Sequence, residues 1–178
     1  MEMQTQKASP VAIGIRFGVL VALASVLVDF LTRIVGLSVL IYSVVAGGLA
    51  LTVAVVGVIF AHRAFKKANG RVMTYVQGVT IAIVMLLVSG LITALFNYLY
   101  INYIDTEFIT RMKEEMTAFM QRNNIPDKQI AESTAKFDEM SPSFGMAIVN
   151  GIKNGLIGGV LFGAIISAFT KRKPADFD

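Results

Sequence analysis

Cysteine is absent from the 178 residues and histidine occurs once. The first absence excludes a disulfide, a thiolate nucleophile and a thiolate metal site, and leaves the redox compartment unmarked. The lone imidazole, His62, stands beside Arg63 and reads as a solvated boundary residue rather than a ligand. Charge is scarce too: charged residues make up 16% and hydrophobic ones 55%, against about 25% charged in soluble proteins. The net charge of +4 collects at the ends of apolar runs, so it marks topology and no nucleic-acid partner is expected. Paired carboxylates, a nucleophile with its base and a metal cluster are all missing from the pattern. Accordingly, no catalytic, cofactor-binding or metal-binding residue is assigned, no cofactor is expected, and the chain is not expected to be an enzyme.

What dominates instead is four long apolar runs, residues 11–31, 35–61, 72–98 and 144–170. About 20 mostly apolar residues cross a bilayer core as a helix, and each run reaches that length. The expected fold is all-α: a four-transmembrane-helix bundle, one integral membrane domain over 1–178, with the lipid bilayer as its first partner. An extracytoplasmic helical hairpin over 105–143 is expected between spans three and four. Ala22-Leu23-Ala24 has the look of a signal-peptide cleavage site, yet Arg16 interrupts the region before it and the apolar run continues through Val28. A retained first span follows.

The segment from His62 to Arg71 carries four Lys/Arg and an Asn69-Gly70 turn, while Lys7 and Lys171-Arg172-Lys173 mark the two termini. The long segment between spans three and four holds five basic residues diluted among eight acidic ones. Counting positive charge therefore puts both termini and the short turn in the cytoplasm and the long segment outside. Tyr98, Tyr100 and Tyr103, with Phe96, suit an interfacial belt at the outer end of span three. The apolar pattern from Val72 to Ile104 would extend about 50 Å as a helix, so span three should leave the membrane near Phe96 and continue outward.

Within the outer segment, Phe108, Met112, Met116 and Met120 recur every four residues, which predicts an amphipathic helix broken at Asn123-Asn124. Pro126 and Asp127 suit the start of a second helix carrying Ile130 and Phe137, running to about Met140 before Ser141-Pro142 stops it. The apolar stripes either face each other and the bundle, or form a docking surface for a partner or the outer leaflet.

Charges inside spans are functional candidates by default, and each has an interfacial reading. Arg16 lies about 9 Å inside span one. Asp29 can pair with Arg33 at spacing i, i+4. Lys153 precedes Lys171 by roughly 27 Å of helix, at the outer boundary. Gln77 and Asn97 fall near the ends of span three, so the membrane centre is expected to be almost purely apolar, which argues against a pump or transporter. On span four, Gly151, Gly155, Gly159, Gly163 and Ser167 stand four apart. They form a face that admits a close helix neighbour, inside the bundle or on another subunit. Gly14 and Gly18 repeat the spacing on span one.

From His62 to Pro174 the chain resembles a bacterial family of four-span membrane proteins, domain of unknown function 4199. The basic Asn69-Gly70 turn, the run Asn97-Tyr98-Leu99-Tyr100-Ile101-Asn102-Tyr103-Ile104-Asp105, and Met140-Ser141-Pro142-Ser143-Phe144 before a glycine-rich last span carry the likeness. It departs at Thr106, where the family often has proline, and at Arg71, where a second glycine is common. The resemblance implies an integral inner-membrane protein and no functional residues. The expected role is a scaffold or accessory subunit contacting itself or another membrane protein. The alternative is a small oligomeric channel or transporter.

Overall fold

The computed structural model describes residues 8–138 and 143–172, and these fold into helices α1 (Pro10–Ile34), α2 (Val39–Ala68), α3 (Tyr75–Leu99), α4 (Phe108–Arg122), α5 (Asp127–Asp138) and α6 (Phe144–Thr170). The expected stop at Ser141-Pro142 and the charges of Lys7 and Lys173 lie outside the described residues. Helices α1, α2, α3 and α6 are each long and apolar enough to cross a membrane, making this an all-helical, multi-pass membrane protein.

Local chemistry sets the helix ends. The Ser9 hydroxyl accepts from the Ala12 amide, with Pro10 following in the first helical turn of α1. Thr74 and Gln77 form a reciprocal capping box at the start of α3, at 2.9 and 3.2 Å. Ser143 caps α6 through the Met146 amide. At the end of α2, Gly70 has φ +63 and the Arg71 amide donates to the Lys66 carbonyl at 2.7 Å, a Schellman closure. Span three does continue beyond Phe96: a π-helical turn over Tyr100–Ile104 extends α3, closed by the Asp105 amide on the Tyr100 carbonyl at 2.8 Å.

Helix α3 lies between α1 and α6, and α2 rests chiefly on α1. Small residues permit these approaches. A Cβ added at Gly18 would stand 2.8 Å from the Met85 carbonyl oxygen, and one at Gly155 would stand 2.7 Å from that of Leu86. Gly151, Gly155, Gly159, Gly163 and Ser167 are all buried, so the small-residue face of α6 is the seam with α3 and packs inside the bundle. Lipid tails are as apolar as a leucine, so close contact and not burial from water holds such a seam.

Span two differs from expectation. The helix starts later and runs on to Ala68, so His62, Arg63, Lys66 and Lys67 are helical and the turn is confined to Asn69, Gly70 and Arg71. Phe65 explains the extension. It is fully buried with Val58, Ala61, Met73, Ile81 and Met85, and this cluster needs the helix to continue to bring Phe65 inward. The opposite half of α2 is looser: Leu40, Ile41 and Val44 are exposed. The bundle is therefore tight at the end carrying the basic turn and open at the end carrying α4 and α5.

Candidate functional site

Where α2 stands away from α3 and α6, a cleft of about 610 Å³ opens, reaching from Val21 and Ser25 of α1 to Phe162 of α6. Hydroxyl and amide side chains line it: Ser25, Ser89, Thr93, Asn97, Asn150 and Asn154. Ser25, Ser89 and Thr93 correct the expectation of an almost purely apolar centre, while Asn97, Asn150 and Asn154 lie toward the end carrying α4 and α5. Ser89, Thr93 and Asn97 are four apart on α3, as are Asn150 and Asn154 on α6, so each set shares a helix face. The spacing was readable, but averaging hydropathy over a whole span conceals a polar face one residue wide.

A buried guanidinium is joined to the cleft through Asn97. Arg33 donates from Nε to Asp29 at 2.8 Å and from Nη2 to Asn97 at 2.7 Å, and its side chain is only 5% exposed. Its Cζ lies 4.4 Å from the ring centres of both Tyr100 and Phe108, within cation–π range. The Tyr42 hydroxyl donates to the second Asp29 oxygen at 2.7 Å, and Tyr42 also packs edge-to-face on Phe108. One group, Nη1, is buried without a partner. Spacing had foreseen the Asp29–Arg33 pair. It missed Tyr42, Asn97, Tyr100 and Phe108, which arrive from three other elements. Asp29 thereby becomes the counter-ion of a buried cation instead of an interfacial anchor, while Arg16 and Lys153 are exposed.

Beyond the spans, Arg111 reaches back to Asp105 and holds that carboxyl below its ordinary range, chiefly by hydrogen bonding. Helices α4 and α5 meet at a turn where Asn124 has φ +55. Met112, Met116 and Met120 are half-buried, Ile130 is buried and Phe119 is exposed.

His62, expected to be solvated, is 0% exposed. Its Nδ1 lies 2.8 Å from the Thr170 hydroxyl and its Nε2 2.9 Å from the Gly78 carbonyl, so one ring bridges α2, α3 and α6. The reason is register: His62 follows Val58 and Ala61 around the helix onto the same inward face. Lys66, one turn on, donates to the Thr170 carbonyl at 3.0 Å. Met73 and Arg172 exchange backbone hydrogen bonds of 2.9 Å, which tie the end of α6 to the segment entering α3.

A family model described as "Protein of unknown function (DUF4199)" matches residues 16–172. The chain belongs to this family. The match takes in the first two spans as well as the region from His62 onward, so the membership rests on the whole bundle. No curated protein and no solved structure matches the chain significantly. The DUF4199 assignment brings no activity to the cleft.

Proposed function

We propose that the protein acts without catalysis, as a membrane scaffold or accessory subunit that takes a helix of another membrane protein, or of a second copy, into the cleft beside α2. The observation carrying this reading is the row of amides and hydroxyls that faces the opening. Asn150 and Asn154 are exposed there. A polar group facing hydrocarbon is costly unless paired, and interhelical hydrogen bonds from such groups contribute roughly 0.6–2 kcal/mol each. An incoming helix with hydroxyl or amide groups of its own would satisfy the row, and the exposed Phe119 of α4 would add a contact outside the membrane. In this reading the protein sits in the bacterial inner membrane with both termini and the basic turn in the cytoplasm, following the distribution of Lys and Arg.

The same cleft favours a second reading, a small channel or transporter, in which water fills the polar row and Arg33 stands at its mouth. Photocrosslinking separates the two. A photoreactive residue at Asn154 should capture a discrete membrane protein in native membranes, whereas one at Phe169, 85% exposed on α6, should capture lipid alone. Solute flux into liposomes that is lost in Asn154→Leu, with no protein adduct at Asn154, would overturn the scaffold reading in favour of transport.

A further inference from the structure

An apolar groove of about 670 Å³ runs between α1 and α2. Phe17, Leu20 and Ala24 form one wall and Val53, Val56 and Phe60 the other. Its volume lies within the range of about 300–1,000 Å³ typical of small-molecule sites. It is almost devoid of polar atoms except at one end, where Arg63 and Lys67 border it.

Those two cations also line a separate hollow of about 260 Å³, completed by Lys66, Arg71 and Arg172. Every residue around this hollow is basic. None of the five joins the ion pairs at Asp29–Arg33 and around Arg111 among the described residues. The five cations come from three parts of the chain and are held together by backbone. Lys66 is fixed on the Thr170 carbonyl at 3.0 Å, the Schellman turn places Arg71, and the Met73 bridge places Arg172. Arg71 sits at φ +64, where a side chain is disfavoured and glycine is at ease. An unfavourable backbone conformation that carries a cation into a hollow already lined by four others is the pattern of strain kept at a binding site.

We propose that groove and hollow together bind one anionic phospholipid, its phosphate among Arg63, Lys66, Lys67, Arg71 and Arg172 and an acyl chain between α1 and α2. Charge complementarity selects the headgroup, because clustered cations with no acidic side chain paired to them among the described residues attract phosphate and can hydrogen-bond its oxygens. Continuity selects a lipid over a soluble phosphate. Arg63 and Lys67 belong to both cavities, and the Arg63 guanidinium lies over Phe60 of the groove wall with its Cζ 5.9 Å from the ring centre, so the basic hollow and the apolar groove meet at these side chains. Phosphate at the basic end places the attached acyl chains beside α1 and α2, where the groove begins.

The test uses the full chain in phosphatidylcholine nanodiscs, with bound lipid counted by native mass spectrometry and folding checked by thermal melting. Phosphatidylglycerol should be retained over phosphatidylcholine. Neutralising Arg63 and Lys67 together, as R63Q/K67Q, should weaken retention by tenfold or more, since each cation near an anionic headgroup contributes on the order of fivefold. Lys153→Gln, at the opposite end of the bundle, should change nothing. Ala24 is exposed in the groove, so Ala24→Phe should block the acyl chain without disturbing the core. Arg172→Gln supplies a second charge variant should R63Q/K67Q fail to fold. Equal retention of both lipids by the unaltered protein overturns the proposal. Displacement of the lipid by millimolar glycerol phosphate, with Ala24→Phe indistinguishable from the parent, would reduce the site to a soluble-phosphate hollow and overturn the lipid as occupant.

Discussion

Arg33 on α1 and Asn97 on α3 meet through a 2.7 Å hydrogen bond while Arg33 holds Asp29 on its own helix at 2.8 Å. A same-helix ion pair on a surface would contribute little. Here the guanidinium is enclosed by Tyr100 and Phe108, so the pair joins α1 to the extension of α3 and the start of α4. Desolvation changes its energetics: removing Asp29 leaves a guanidinium only 5% exposed without its counter-ion, and removing Arg33 leaves a carboxylate 20% exposed.

Asp29→Asn and Arg33→Leu should therefore each destabilise the folded protein by about 3–5 kcal/mol, the usual cost of orphaning one partner of a buried pair. The double variant should cost much less than the sum. Denaturation in mixed micelles gives the comparison. A loss below about 1 kcal/mol for Asp29→Asn would place the pair in the solvent-screened class.

The seam between α6 and α3 predicts a graded series. At Gly155 and Gly159 an added Cβ would stand 2.7 Å from backbone atoms of Leu86 and Ile83, respectively, whereas at Gly158 the nearest atom is a flexible Leu86 methyl at 3.7 Å. Gly155→Ala and Gly159→Ala should lower stability by about 1–3 kcal/mol through overpacking, and Gly158→Ala should be close to neutral. Because the seam is internal, subunit count on native size analysis should be unchanged in all three. Dissociation into smaller species by Gly155→Ala would place the seam between subunits instead.

His62 offers a third check. Its ring contacts Thr170 and Gly78 at 2.8 and 2.9 Å with no exposure, so His62→Ala should cost about 2–4 kcal/mol from a cavity and lost hydrogen bonds. A solvated histidine would yield no measurable change in melting.

Backbone strain at Arg71 makes the opposite sign available. Glycine at this φ of +64 should raise stability by about 1 kcal/mol, the penalty a side chain suffers in the left-handed region. Arg71→Ala, which keeps the strain, should give no gain. Equal melting temperatures for the glycine and alanine variants would show that the turn relaxes without cost.

Topology can be read by labelling this cysteine-free chain. Ala68 and Gln121 are exposed; cysteine at Gln121 should react with an impermeant thiol reagent in intact cells, and cysteine at Ala68 only after lysis. Reaction of both in intact cells would overturn the four-span arrangement.

The four spans, the turn at Asn69-Gly70, the break at Asn123-Asn124 and the small-residue face of α6 were legible along the chain, because each depends on local composition or on a repeat within one helix. The basic residues of α2 were misread as loop, because positive charge marks a membrane boundary without marking a helix end. Whether the chain folds as membrane helices is settled by the transfer of some 20 apolar residues per span into lipid, which needs no knowledge of neighbours. Which faces meet is another matter. His62 gained its burial from Gly78 and Thr170 on two other helices, Arg33 its enclosure from Tyr42, Asn97, Tyr100 and Phe108, and the polar row its cleft from the divergence of α2. Contacts between residues distant in sequence depend on the relative placement of whole helices, and in lipid that placement follows from shape and hydrogen bonding, to which hydropathy is blind.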